Sequence, residues 1–222
     1  EGADHPAIAL LYTEMGRNFW RIPNYTAAKR YLQMSLDMYR RLFGDNSDRA
    51  DIADALCISG CCFRGNGDHR EAIINHTLSL DMFKRIHGKD SDHPEIAVQL
   101  NNLGINYYYM AEYTKAEEYY RQSLEMRKRI HGEDSDHPNI AVVLNNIGHN
   151  YYDMKEYTKA EEYYRQSLEM RKRIHGEDSD HPDIADELNN IGNNYYNMAE
   201  YTKAEEYYRL ALNMYKRIHG ED

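Results

Sequence analysis

The side chains in this chain with chemistry to offer are three cysteines, a set of histidines beside aspartates, and many asparagines and tyrosines. Cys57 and Cys61 stand one helical turn apart, a spacing that can present two soft ligands to a metal, but the two further ligands such a site needs are not evident nearby. With Cys62 they read as free thiols in a reducing, cytoplasmic compartment rather than as a disulfide framework. The DSDHP segments repeat Asp and His, yet they lack the glycine and terminal Glu of a calcium loop, since the twelfth position from Asp134 is Asn145. They read as helix caps and loop contacts. HExxH, phosphate-loop and nucleophile-elbow patterns are absent, and Asn24-Tyr25-Thr26 and Asn75-His76-Thr77 are glycosylation sequons by letter only. No catalysis, cofactor or metal is therefore expected. What remains is Asn101, Asn145 and Asn189, which recur every 44 residues. An amide can donate to and accept from a peptide backbone at once.

The elements that must position these groups are set by one repeated stretch. Residues 112–138 read EYTKAEEYYRQSLEMRKRIHGEDSDHP, residues 156–182 are identical, and an altered copy begins at Glu200. Within the first copy Ala116, Tyr119, Tyr120, Ser123, Leu124, Arg127 and Ile130 recur at three-and-four spacing, which predicts an amphipathic helix. Thr114 and Glu117 have the spacing of a capping box and place the helix start near Thr114. Glu117 with Arg121 and Glu125 with Arg129 are one turn apart, cations crowd the C-terminal end, and Gly132 is expected as a left-handed stop.

Aligned on the DHP unit, the chain gives five repeats, approximately 5–48, 49–92, 93–136, 137–180 and 181–222. Each predicts two helices joined by a short turn, with the prolines at 6, 94, 138 and 182 suited to the first turn of a helix. Repeat 2 has Arg49 and Ala50 for His-Pro, and Gly65, Asn66 and Gly67 in its turn, which predicts a looser turn. Both ends fall inside the loop unit, so the sequence is expected to be excised from a longer protein as one continuous domain.

A 44-residue period also fits other helical arrays, so the side chains decide. Gly104, Tyr107, Ala116 and Tyr120 of repeat 3 recur as Gly16, Phe19, Ala28 and Leu32; Gly60, Phe63, Ala72 and His76; Gly148, Tyr151, Ala160 and Tyr164; and Gly192, Tyr195, Ala204 and Tyr208. This pattern resembles the tetratricopeptide repeat. The extended second helix, LNN-G and DHP elements resemble the longer repeats of kinesin light chain and nephrocystin-3-like proteins. The resemblance implies an all-α, right-handed superhelical solenoid of five helix-turn-helix repeats whose first helices line a concave groove, and a scaffold that binds an extended segment of a partner protein there.

Carried over by position, the groove residues are Leu10, Thr13, Arg17, Trp20 and Arg21; Asp54, Cys57, Cys61, Arg64 and Gly65; Val98, Asn101, Ile105, Tyr108 and Tyr109; Val142, Asn145, His149, Tyr152 and Asp153; and Asp186, Asn189, Asn193, Tyr196 and Asn197. Repeats 3 and 4 differ at 6 of 44 positions, and two of those, Ile105/His149 and Tyr109/Asp153, fall on this groove. If repeats are spaced by about 10 Å, each spans about three extended residues, so the asparagines can read a peptide repeat by repeat. The alternative is that Asn102, Asn146 and Asn190, with their neighbours, bond between repeats.

Arg17, Arg21 and Arg64 with Trp20 make one end basic and aromatic, which suits a partner's acidic segment or terminal carboxylate, although a plain surface role for these arginines fits as well. Asp153 and Asp186 make the other end acidic. A net charge of -10 argues against nucleic acid, and the chain has neither a membrane-spanning run nor a signal segment. The competing reading is an architectural module that self-associates end to end.

Overall fold

The computed structural model describes residues 4–45 and 47–220. Among them the chain forms ten α-helices and no strand, as five consecutive helix-turn-helix repeats. The first helices are α1 (Pro6–Arg21), α3 (Ala50–Gly65), α5 (Pro94–Tyr109), α7 (Pro138–Asp153) and α9 (Pro182–Asn197). The second helices are α2 (Tyr25–Phe43), α4 (His69–His87), α6 (Tyr113–His131), α8 (Tyr157–His175) and α10 (Tyr201–His219). The chain divides into two compact units, Glu1–Tyr119 and Tyr120–Asp222. Residues 1–3 and 221–222 of the two terminal stretches lie outside the described residues.

The caps differ in detail from expectation. Proline opens α1, α5, α7 and α9, and the Nδ1 atoms of His5, His137 and His181 each accept a backbone N–H two residues on at 3.2 Å. The capping box does not form in α8 and α10: their N-caps are Glu156 and Glu200, without a side-chain cap bond, which leaves Thr158 and Thr202 inside the first turn. Local pattern placed that start one turn position late. Gly88 and Gly176 stop α4 and α8 at φ 103° with ψ near 139° and 138°, an extended positive-φ conformation open to glycine rather than the left-handed helical well. The repeat 2 turn is not looser. Gly67 N–H donates to Arg64 O at 2.9 Å and Asp68 N–H to Phe63 O at 2.9 Å, the same pair of bonds that Lys155 and Glu156 make in repeat 4.

In the first unit, α1 and α2 close on each other because Gly16 has no side chain: a Cβ there would lie 2.5 Å from Leu32 Cγ. Gly60 likewise receives His76, whose Nδ1 meets Gln99 Oε1 of the next repeat at 3.0 Å. A histidine thus takes the place of the usual apolar residue because a polar partner waits for it. Ser35 and Ser79 replace the small apolar residue usual at their positions, and their hydroxyls donate to Ala9 O and Ala53 O at 2.7 Å, so the buried polar group is satisfied.

In the second unit, Gly148 and Gly192 receive the rings of Tyr164 and Tyr208, with Cβ clearances of 2.6 and 2.7 Å. Ile140, Ile147, Ile184 and Ile191 are essentially fully buried between hairpins, each contributing about 2 kcal/mol of apolar burial. Across the chain's loops Arg41, Arg85, Arg173 and Arg217 reach back 37 residues to Asp4, Asp48, Asp136 and Asp180. These pairs are exposed and add little stability, so much of the acidity of the loops serves register rather than a binding tail.

Candidate functional site

The first helices lie beside one another within each unit, and their side chains are knitted along that face. In the first unit Arg17 forms an ion pair with Asp54 and approaches Glu14 at 3.4 Å. Arg64 donates to Asn102 Oδ1 at 3.0 Å and reaches Cys61 Sγ at 3.8 Å. The basic patch is therefore largely committed inside the protein, and Arg21 is its exposed member. Trp20 packs partly buried against Ala28, Leu32, Ile58 and Cys62. Thr13 does not belong to the face: it is buried and bonds Ser35 Oγ at 2.7 Å. Val98 and Tyr109 are exposed.

Four of the expected residues, Arg64, Gly65, Ile105 and Tyr109, converge. They line a hollow of about 540 Å³ together with Gly67 and His69. His69 stacks on Tyr109 with ring centroids 5.1 Å apart. Sequence reasoning passed over His69 because it opens a second helix. The available signal was an aromatic ring at that same position in every repeat: Tyr25, His69, Tyr113, Tyr157 and Tyr201. Tyr113 sits 6.0 Å from Tyr108, so these rings border the first-helix face.

In the second unit Asn145 Oδ1 accepts from Asn190 Nδ2 at 3.1 Å, and Tyr152 Oη accepts from Asn197 Nδ2 at 2.7 Å. Part of the amide capacity of Asn145 is thus spent between repeats. His149 Nδ1 meets Tyr164 Oη at 3.0 Å, and Asn193 Oδ1 accepts from Tyr208 Oη at 2.9 Å. Burial pushes the His149 pKa down, only partly opposed by Asp153. Burial also raises the Tyr152 phenol, so that ring stays a neutral donor. Val142, Asn189 and Tyr196 remain exposed, and Asp186 accepts from Tyr215. Tyr157 and Tyr201 stand edge-on to Tyr152 and Tyr196 at 5.8 and 5.5 Å.

The face therefore offers amides, phenols and exposed aliphatic groups. Cys57, Cys61 and Cys62 are free thiols. Among the described residues no helix is long and apolar enough to cross a membrane. Models of the tetratricopeptide repeat match residues 51–129, 95–173 and 139–217, and a second such model matches 8–48. The chain belongs to the tetratricopeptide repeat family. No curated protein sequence matches it.

Solved structures place this tetratricopeptide repeat chain among kinesin light chain-like folds. BtubC (BKLC) of P. vanneervenii is 20% identical with a TM-score of 0.81, over 98% of this chain and 83% of that one. A putative kinesin light chain of Podosopora anserina, with nearly identical TPR-like repeats, is 14% identical with a TM-score of 0.79, over 97% of this chain and 99% of that one. The Rap conjugation gene regulator of plasmid pLS20, solved in complex with the Phr* peptide, is 19% identical with a TM-score of 0.68, over 94% of this chain and 53% of that one. The fold is a repeat scaffold of the kind typical of protein–protein interaction.

Proposed function

We propose that this protein is a non-catalytic scaffold that binds an extended segment of a partner protein along its first-helix faces, in a reducing, cytoplasmic setting consistent with its free thiols. The observation that carries this reading is the exposure of Val98, Tyr109, Val142 and Tyr196 at the groove positions of otherwise well-packed helices. Exposed aliphatic and aromatic groups beside amides, the exposed Asn189 among them, suit a chain that presents both side chains and backbone. The Phr* peptide complex of the similar Rap regulator supports the same use of the fold.

The hollow at Arg64, His69, Ile105 and Tyr109 is where an anchoring side chain belongs. Arg64 at its rim suits a carboxylate of an acidic segment, while Asp153 and Asp186 in the second unit suit a basic one. Fluorescence anisotropy with a library of extended peptides tests this. Binding lost in Tyr109→Ala and redirected in Arg64→Glu is expected. Binding unchanged in both removes the face from consideration.

A second reading, end-to-end self-association, draws on the exposure of Leu11 on α1 and of Leu210 and Leu212 on α10. Sedimentation that depends on concentration in the wild type and not in Leu11→Glu supports it; a concentration-independent monomer rejects it.

A further inference from the structure

Each of three inter-repeat loops stacks two histidines face to face, with ring centroids 3.5 Å apart for His87–His93, 3.6 Å for His131–His137 and 3.5 Å for His175–His181. Each stack therefore brings the ring nitrogens of two imidazoles, a donor type that metals use, into one loop. A neutral imidazole is the form that binds a metal. The residue two positions after the second histidine differs among the loops: Glu95 in the first, Asn139 in the middle one, Asp183 in the last.

We propose that His87, His93 and Glu95 form a site for a borderline divalent metal ion of the zinc type. One ligand atom from each already lies within 4.8 Å of the others. Tetrahedral bonds of about 2.1 Å need ligand atoms about 3.4 Å apart, which a turn of the imidazole rings and a short inward movement supply. Two nitrogens and one carboxylate oxygen leave a fourth position for water, and this donor set favours Zn²⁺ or Co²⁺ over Mg²⁺ or Ca²⁺.

Two details single out the first loop. His93 does not cap α5 as His137 and His181 cap α7 and α9; its Nδ1 is buried and faces the Glu95 carboxylate instead. In the last loop Asp183 is already held by Arg171 at 2.8 Å, and His181 Nδ1 is occupied by the Asp183 N–H at 3.2 Å. The residue equivalent to Arg171 in the first loop is Phe83, which stacks on His87 and brings no competing charge. His87 also ends α4, where the helix carbonyls favour a cation. A metal bound there would fasten the end of α4 to the start of α5.

The test is a Co²⁺ titration of the tag-free chain read by visible absorption, with Zn²⁺ competition measured by calorimetry. One equivalent giving a four-coordinate spectrum is expected, weakened by at least about tenfold in Glu95→Gln and in His87→Gln, and unchanged in His131→Gln and Asp183→Asn. Glu95 is exposed, so its amide variant tests the site in a folded chain. Absence of a Co²⁺ spectrum in the wild type, or one that Glu95→Gln and His87→Gln leave intact, overturns the proposal. So does a site lost in Asp183→Asn.

Discussion

Arg171 Nε lies 3.1 Å from Glu187 Oε1 across the contact between α8 and α9, where Glu187 is 1% exposed. Ser167 also donates to that oxygen at 2.6 Å. Burial nevertheless outweighs both partners and raises the Glu187 pKa to about 7. A carboxyl whose folded pKa is raised binds more protons folded than unfolded, so its contribution is complete below the usual value near 4.5 and is lost as pH rises through 7. Acidification from pH 8 to 5 should therefore stabilise the wild type relative to Glu187→Gln, read as the difference between their urea midpoints. The difference matters because His137 and His149, whose pKa values burial lowers, act in the opposite sense below their usual range. A difference that does not change with pH would place the Glu187 titration elsewhere.

The helix α6 carries the same sequence as α8, yet around its Arg127, 6% exposed, the positions equivalent to Asp183 and Glu187 are Asn139 and Val143. Burial alone lowers the Arg127 pKa. Arg127→Met should be neutral or stabilising by about 1 kcal/mol, while Arg171→Met strands Glu187 and should cost about 3–5 kcal/mol. Chemical denaturation of the two variants side by side decides between this and a uniform role for the helix.

Ala111, Lys155 and Ala199 hold φ of 58°, 62° and 61° in the turns between first and second helices, where repeat 2 has Gly67 at 84°. A side chain in that region costs about 1 kcal/mol, so each change to glycine should stabilise by roughly that amount, less the entropy glycine adds to the unfolded chain. Gly67→Ala should destabilise. Thermal unfolding of the four single variants reads the pattern directly.

Gly148→Ala should destabilise by about 1–3 kcal/mol because the new Cβ would lie 2.6 Å from the Tyr164 ring. The same displacement breaks the Tyr164–His149 bond, so nuclear magnetic resonance of His149 should report it. Pairing Gly148→Ala with Tyr164→Leu should recover little, because a Cβ opposite the equivalent leucine, Leu32 at Gly16, would lie 2.5 Å away, whereas Tyr164→Ala should remove the clash itself.

The repeat period was legible because one 44-residue unit recurs, and the paired helices because their apolar spacing is written within about 20 residues. Of the expected stripe of α6, Ala116, Tyr120, Ser123, Leu124 and Arg127 are buried and Tyr119 and Ile130 partly so. Less legible were the partners of the arginines, 37 and 38 residues away, Arg17 with Asp54 and Arg64 with Asn102, while the Asn145–Asn190 bond is the inter-repeat alternative that the recurring asparagines offered. Position on a helix assigned Arg17 and Arg64 to a ligand, and the next repeat claimed much of their capacity. Thr13 read as surface because its spacing fits the groove, but Ser35 draws it inward. The thiol pair Cys57 and Cys61 stood out as soft ligands, whereas the better ligand geometry arose between a helix end and the loop after it.

Because α6 and α8 are identical from end to end, α9 has no chemical means of telling them apart. Arg127 could meet Glu187 as well as Arg171 does, with the 44 residues between the two arginines looped out. Such a skipped-register chain would keep a native-like junction and lose only one hairpin, which makes it a natural kinetic trap during folding and a route to exchange of hairpins between molecules. The positions where repeats 3 and 4 disagree, Gln99 against Val143 foremost, are then what steers each first helix to its own predecessor: Gln99 recognises His76, and Val143 has no use for it.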